Sequence, residues 1–119
     1  MNTKRIGDAG EDLAARHVQG LGWRVLARNW RGRFGELDLV AEDGSTVVIV
    51  EVKARASRSH GLPEEAVDSR KQGRLARSAL EFLRARGLSD RPVRFDVAAV
   101  DGEAVRLIRA AFEAPGWTR

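Results

Sequence analysis

Residues 35–53 read GELDLVAEDGSTVVIVEVK, and this stretch sets the architecture of the chain. Two runs of strand-forming residues flank Asp43-Gly44, a dipeptide that is typical of a tight β-hairpin turn. The second run contains consecutive apolar residues, 47–50, as expected for a central strand that is covered on both faces. The stretch therefore predicts antiparallel strands at residues 35–42 and 46–54, in the interior of a sheet with a layer on each side.

The segments on either side of this hairpin complete an α/β domain. Residues 7–21 and 64–86 have helical periodicity, and Gly87 predicts the end of the second helix. Residues 23–30, 93–100 and 103–111 predict further strands, the last pair joined at Asp101-Gly102. The order α-β-β-β-α-β-β predicts a central mixed sheet flanked by helices. At 119 residues the chain allows a single domain, residues 1–119, without a repeat or linker that would divide it.

Composition excludes several classes of site. The chain contains no cysteine, which excludes disulfides, thiolate zinc sites and a cysteine nucleophile. The histidines are His17 and His60 alone, which is too little for a histidine-rich metal site. A bound metal would therefore be held mainly by oxygen, which favours magnesium, manganese or calcium.

Charge and hydropathy suggest where the protein acts. The net charge of +4 and the pI near 10.6 favour polyanionic partners, although the preference for arginine over lysine also reflects coding bias. No apolar run approaches the roughly 18–20 residues that cross a bilayer, and residues 1–10 lack the apolar stretch of a secretory signal. We expect a cytoplasmic protein with no membrane partner.

The hairpin register brings charged residues together. A turn at Asp43-Gly44 pairs Glu36 with Glu51 and places Asp38 diagonal to Glu51, with about 7–8 Å between backbones. Because side chains alternate along a strand, these acidic residues share one face with Lys53. Clustered carboxylates on strands built from Val, Ile and Leu cost stability unless something is bound there.

A divalent cation would relieve this repulsion. Asp38 and Glu51 would be its carboxylate ligands, with magnesium as the expected ion and manganese as a substitute. Lys53 would orient the attacking water and offset charge on a phosphate. The first helix carries Glu11 inside its apolar stripe, facing the same region. In the alternative interpretation Lys53 only neutralises Asp38 and Glu51 as a surface salt-bridge ladder; Glu36 is expected to pair with an arginine rather than the metal.

Basic side chains near this site are candidates for contact with a DNA backbone. Some lie just after the Glu-x-Lys strand, and the others form a stripe on the second helix; a solvated helix face is the alternative. The candidates are Arg55, Arg58, Arg70, Lys71, Arg74 and Arg77. Elsewhere, Arg94 and Asp96 share a strand face and predict a local salt bridge rather than a catalytic pair.

The chain resembles the bacterial YraN-like family at Gly10-Glu11, Arg28-Asn29, Gly35-Glu36-Leu37-Asp38, Glu51-Val52-Lys53, Lys71 and Arg94-Phe95-Asp96-Val97. The resemblance extends over residues 7–108. That family is similar in turn to archaeal Holliday junction resolvases and to the restriction-endonuclease-like superfamily. It implies an α-β-β-β-α-β core and a nuclease site formed by Glu11, Asp38, Glu51 and Lys53. A homodimer is an expectation that rests on the resemblance alone, because junction resolvases act as dimers.

The leading hypothesis is a magnesium-dependent nuclease that hydrolyses phosphodiester bonds in DNA, with branched or recombination structures as candidate substrates. One alternative is a DNA-binding or partner-binding module with little catalytic activity, and another is a protein whose acidic pocket binds metal for stability alone. The Glu51-x-Lys53 pattern favours the nuclease. Without a recognition helix or zinc finger, sequence-specific reading of DNA has no support.

Overall fold

The computed structural model describes residues 3–55 and 67–113, with side chains at 8–54 and 67–113. Its elements are α1 (Thr3–Gly20), β1 (Arg24–Gly32), β2 (Gly35–Asp43), β3 (Thr46–Arg55), α2 (Ser69–Ala85), β4 (Val93–Asp101) and β5 (Ala104–Phe112). The predicted order of helices and strands is confirmed. Neither of the helices described is long and apolar enough to span a membrane.

The strands form one sheet in the order β1-β2-β3-β4-β5. Strands β3 and β4 are parallel, and every other neighbouring pair is antiparallel. A parallel pair needs a crossover connection, and α2 lies in it. The predicted mixed sheet is therefore confirmed, and the arrangement is compatible with an α/β restriction-endonuclease-like core.

The central strand β3 sends alternate side chains into separate hydrophobic cores. Val48 and Val50 pack with α1 residues such as Val18, whereas Val47 and Ile49 pack on the α2 side. All of these β3 residues are buried, as expected for a strand with a helix on each face. The buried side of α2 is the one that periodicity predicted: Leu75, Ala76, Ala79, Phe82 and Leu83.

The ends of α2 follow from local capping. The helix begins at Ser69 because Asp68 is its N-cap, and the Asp68 carboxylate accepts a hydrogen bond from the Lys71 backbone N–H at 2.9 Å. The sequence predicted that this helix starts at residue 64. Residues 67 and 68 are not helical, so that start was too early, and residues 64–66 lie outside the described part of the chain. At the other end Gly87 has φ +66°, and the Leu88 N–H donates to the Leu83 carbonyl at 2.8 Å.

The hairpin turn lies one residue later than predicted. Asp43 pairs with Thr46 and Leu39 pairs with Val50, so the loop residues are Gly44 and Ser45. Gly44 adopts φ +60°, which glycine tolerates without strain. The predicted register was therefore wrong by two residues. Within the paired residues 39–43 and 46–50, a shift of two leaves each side chain on its predicted face.

Candidate metal centre

Asp38 lies where β2 changes the face to which its side chains point. Leu37 packs into the α2 core and Leu39 into the α1 core, although residues two apart on a regular strand share a face. The ladder between β2 and β3 ends at the Leu39–Val50 pair. Beyond it, the Asp38 Oδ2 accepts a hydrogen bond from the Val52 backbone N–H at 3.0 Å. The carboxylate thus serves as an acceptor where the two strands separate.

The neighbouring strand β1 is irregular at the same level. Asn29 lies between the pairs Arg28–Leu39 and Trp30–Leu37 and has φ +52°. Asparagine is among the few residues that adopt this left-handed conformation readily. Its side chain is hydrogen-bonded to Glu11, which links β1 to α1. Asn29 is a site residue that the sequence analysis did not identify.

Three carboxylates meet beside this irregularity. Glu11 from α1 and Glu36 and Asp38 from β2 each place one oxygen within 4.8 Å of the others. The Glu11 Oε1 is buried and has no hydrogen-bond partner within residues 3–55 and 67–113. Burial raises the pKa of Glu11, and the charge of Glu36 raises it further. The hydrogen bond to Asn29 lowers the pKa but is outweighed. The expected arginine partner of Glu36 is present as well, with Arg31 Nη2 at 2.8 Å from its Oε2.

Glu51 adjoins this group through Asp38. The Glu51 side chain is 5% exposed and is hydrogen-bonded to Asp38. Burial, together with the hydrogen bond and charge of Glu51, raises the pKa of Asp38 to about 8. Burial alone would raise the pKa of Glu51 too, but hydrogen bonds from Asp38 and Lys71 outweigh it and lower that pKa. These opposite shifts favour a proton on Asp38 rather than on Glu51, and through it Asp38 donates a hydrogen bond to the Glu51 carboxylate.

Two of the chain's three lysines reach Glu51. Lys53 Nζ lies 3.7 Å from Glu51 Oε2, and Lys71 forms a shorter ion pair with the same oxygen. Burial lowers the pKa of Lys53, and the adjacent Lys71 lowers it further. The negative charge of Glu51 acts in the opposite direction but is outweighed. For Lys71 burial acts in the same direction, but its bonds to Glu51 and Lys53 prevail and raise its pKa. Of these two lysines, Lys71 therefore keeps its positive charge more readily than Lys53.

The structure brings together the four residues expected at the site: Glu11, Asp38, Glu51 and Lys53. It adds Glu36 to the carboxylates and Lys71 to the lysines. Lys71 had been predicted only as a candidate for contact with a DNA backbone, and its ion pair with Glu51 was not foreseen. The carboxylates of Glu11, Glu36 and Asp38 could hold a divalent cation, and Glu51 is joined to them by its hydrogen bond to Asp38.

A basic cleft opens beside these residues along α2. Its volume is about 560 Å³, and the described residues that line it are Asp68, Arg70, Lys71, Arg74 and Arg77. Every basic residue predicted on this helix to contact DNA is among them. Lys71 belongs both to the cleft and to the Glu51 ion pair, so the cleft and the acidic cluster are adjacent. Of the remaining candidates, Arg55 ends β3 with its side chain outside the described part of the chain, and Arg58 lies outside it entirely.

Asp96 is structural, as predicted from its position near Arg94. Its carboxylate is fully buried and accepts hydrogen bonds from Arg94 Nε at 2.9 Å and Arg94 Nη2 at 3.1 Å. The Ala110 backbone N–H donates to it at 2.9 Å. The Asp96 side chain therefore joins β4 to β5 and has no role in the acidic cluster.

Sequence comparisons place the chain among known proteins. A family model described as "Uncharacterised protein family UPF0102" matches residues 10–100, a range that includes the acidic cluster and both lysines. The chain belongs to the UPF0102 family. The expected resemblance to YraN-like proteins is thereby confirmed.

Individual members of the family match most of the chain. It is 48% identical over 117 residues to a UPF0102 protein of Symbiobacterium thermophilum, covering 94% of this chain and 99% of that protein. It is 44% identical over 113 residues to one of Syntrophus aciditrophicus, covering 92% and 89%. A UPF0102 protein of Geobacter sulfurreducens is 42% identical over 117 residues, covering 94% and 91%.

Proposed function

We propose that this protein is a metal-dependent nuclease that hydrolyses phosphodiester bonds in DNA. The observation that carries the proposal is the contact between the Asp38–Glu51 carboxyl pair and two lysines, at the end of a cleft lined by arginines. Acidic ligands and an adjacent amine are the groups that metal-assisted attack on a phosphate requires. The arginines supply the attraction for a DNA backbone.

The carboxylates fit a divalent cation. Among the residues that the structure describes, the buried Glu11 Oε1 has no hydrogen-bond partner, and the charge of Glu36 repels it. A donor set made only of carboxylate oxygens suits magnesium or manganese. Glu11, Glu36 and Asp38 would hold the ion, and Glu51, which is hydrogen-bonded to Asp38, would be a further ligand. When bound, the metal supplies positive charge that polarises the phosphate and lowers the pKa of a water molecule.

The lysines divide the remaining work between them. Lys53 has a lowered pKa and lies beside Glu51, so it orients the attacking water and is present as the neutral amine more often than an ordinary lysine. Lys71 remains charged and lines the cleft, so it stabilises negative charge on the phosphate. Glu51 holds both ammonium groups in place.

A second candidate function is a DNA-binding module with little catalytic activity. It is favoured by the neutralisation of Glu51 through Lys53, Lys71 and the Asp38 proton, which needs no metal. In that case the acidic cluster is a structural network and the cleft alone is functional. A divalent cation distinguishes the two candidates. The nuclease would cleave bound DNA when the cation is added, whereas the binding module would leave the DNA intact.

The deciding experiment is incubation of the purified protein with linear, flapped and four-way DNA in magnesium, manganese or EDTA. The nuclease predicts products in magnesium or manganese and none in EDTA. A protein carrying Asp38→Asn, purified in parallel, controls for a contaminating nuclease. Retained DNA binding without cleavage of any substrate would favour the binding module instead.

A further inference from the structure

The turn between β1 and β2 exposes an aromatic ring. Phe34 is 42% exposed and is one of the large apolar side chains, with Leu21, that the described part of the chain leaves exposed. Gly32 ends β1 and Gly35 begins β2, so Phe34 lies at the tip of this hairpin. An exposed phenylalanine contributes nothing to either hydrophobic core.

The hairpin tip is fixed against α2. The Arg33 backbone N–H donates to Glu81 Oε1 at 2.9 Å. A Cβ at Gly32 would collide with Glu81, and a Cβ at Gly35 would collide with the guanidinium of Arg74. Gly35 also has φ +131°, a conformation that favours glycine. The Arg33 hydrogen bond ties the backbone of the turn to α2, which lowers the entropy cost of using the Phe34 ring as a contact surface.

The guanidinium groups of Arg33 and Arg77 lie over the Phe34 ring, so a base that stacks on the ring takes the place of one of them. Arg33 Cζ lies 5.9 Å and Arg77 Cζ 5.7 Å from the Phe34 ring centroid. Arg77 also lines the basic cleft, as does Lys71, which lies six residues earlier on α2. Lys71 forms the ion pair with Glu51. Six residues of helix span about 9 Å. The aromatic ring and the acidic cluster are therefore neighbours along a single basic surface.

We propose that Phe34 stacks on an unpaired DNA base next to the bond that is cut. An exposed ring combined with a basic groove is the usual arrangement for binding single strands, because each base offers a flat face and each phosphate a charge. In a continuous duplex both faces of every base are covered by neighbouring bases, so the ring has nothing to stack on. Phe34 thus favours single-stranded segments and flaps over duplex. The position of the base relative to the cut rests on the proposed nuclease function; the stacking itself does not.

The test measures binding in EDTA, where no metal-dependent cleavage occurs. Oligonucleotides carrying 2-aminopurine, as a single strand, a flap or a duplex, are titrated with the full-length protein. The variants are Phe34→Ala, Phe34→Trp and, as a matched control on another surface, Leu21→Ala, which removes a side chain that is 44% exposed. Thermal unfolding of each variant is recorded in parallel.

We expect Phe34→Ala to weaken binding to the single strand and the flap about tenfold and to leave duplex affinity unchanged. Quenching of 2-aminopurine by the wild type should disappear in this variant. Phe34→Trp should retain both affinity and quenching, and Leu21→Ala should match the wild type. The proposal would be overturned if Phe34→Ala weakened binding to single strand and duplex equally, or changed neither affinity. The ring would then only stabilise the turn.

Failure of this proposal is distinguishable from failure of the nuclease proposal. Metal-dependent cleavage with no effect of Phe34→Ala on strand preference would overturn the stacking proposal alone. A Phe34-dependent preference for unpaired DNA without cleavage by the wild type would support stacking and contradict the nuclease. A wild type that binds no DNA in EDTA overturns the stacking proposal, and cleavage is then tested separately.

Discussion

The side chain of Asp38 is hydrogen-bonded to that of Glu51, just beyond the point where the β2–β3 ladder ends at Leu39–Val50. In the metal-free protein this contact depends on one shared proton, since the pKa of Asp38 is about 8 while that of Glu51 is lowered. A cation and this proton compete for the same oxygen atoms. The competition makes the candidate metal centre sensitive to pH.

Metal binding should therefore displace a proton. Below about pH 8 the Asp38 carboxyl is protonated, so a cation that binds its ionised form releases that proton. The apparent affinity for manganese should rise by up to about tenfold per pH unit between pH 6 and 8 and level off above. Isothermal titration calorimetry in buffers of different ionisation enthalpy counts the protons released. Asp38→Asn should bind weakly and lose the pH dependence; an affinity that stays flat from pH 6 to 9 in the wild type would contradict this.

Substitutions at the centre should separate cleavage from binding. Asp38→Asn, Glu51→Gln and Lys53→Ala should each lower cleavage by on the order of a hundredfold, because each removes a preorganised charge. DNA affinity should persist, because the arginines of the cleft attract the backbone. Asp12→Asn is the matched control, since Asp12 pairs with Arg28 at 2.6 Å and lies on the exposed side of α1.

Initial rates on the best substrate, with fluorescence anisotropy in EDTA for affinity, give both readouts for these variants. Undiminished cleavage in all the centre variants would show that the reaction occurs elsewhere.

The cleft should govern how DNA binding responds to salt. Replacing Arg70, Arg74 and Arg77 together by Ala should weaken binding and reduce the slope of log affinity against log salt by about 0.9 for each duplex phosphate that the protein no longer neutralises. Arg16→Ala serves as the control, because Arg16 is exposed on α1, across the sheet from the cleft. Affinity is measured between low and physiological salt. A slope identical to that of the wild type would mean that these arginines are only solvated.

Asp96 should matter for stability rather than for the site. Asp96→Ala leaves Arg94 and the Ala110 N–H without their buried partner, and should lower the free energy of unfolding by about 3–5 kcal/mol. Asp43→Asn removes the more exposed partner of Arg94, at 3.2 Å, and should cost less than about 1 kcal/mol. Urea denaturation in EDTA compares the two. Equal losses would contradict the structural role of Asp96.

The sheet could be predicted because its signals are local. The apolar run at 47–50 indicated a covered central strand, and the Asp43-Gly44 dipeptide indicated a hairpin. The dipeptide did not indicate which loop position glycine occupies, and Gly44 at φ +60° takes the first one. The resulting two-residue shift preserved the faces, so Asp38 and Glu51 still met despite the wrong register.

The remaining site residues depend on contacts between distant segments. The irregularity at Asp38 lies beside Asn29 of the adjacent strand, which adopts φ +52°, and no local pattern revealed either. The contact between Lys71 and Glu51 depends on how α2 docks on the sheet. Glu36 was expected to pair with arginine only, and its approach to Glu11 depends on the docking of α1 on the opposite face.

The position of Lys71 between the cleft and Glu51 has a thermodynamic consequence. A phosphate that draws the ammonium group towards the cleft leaves Glu51 with less positive charge to neutralise it, and its oxygen atoms then attract a cation more strongly. Linkage is reciprocal, so a cation on Glu51 releases Lys71 for the phosphate to the same extent. If the protein binds both as proposed, nucleic acid and metal should act as heterotropic effectors of each other, and each should be bound most tightly when the other is present.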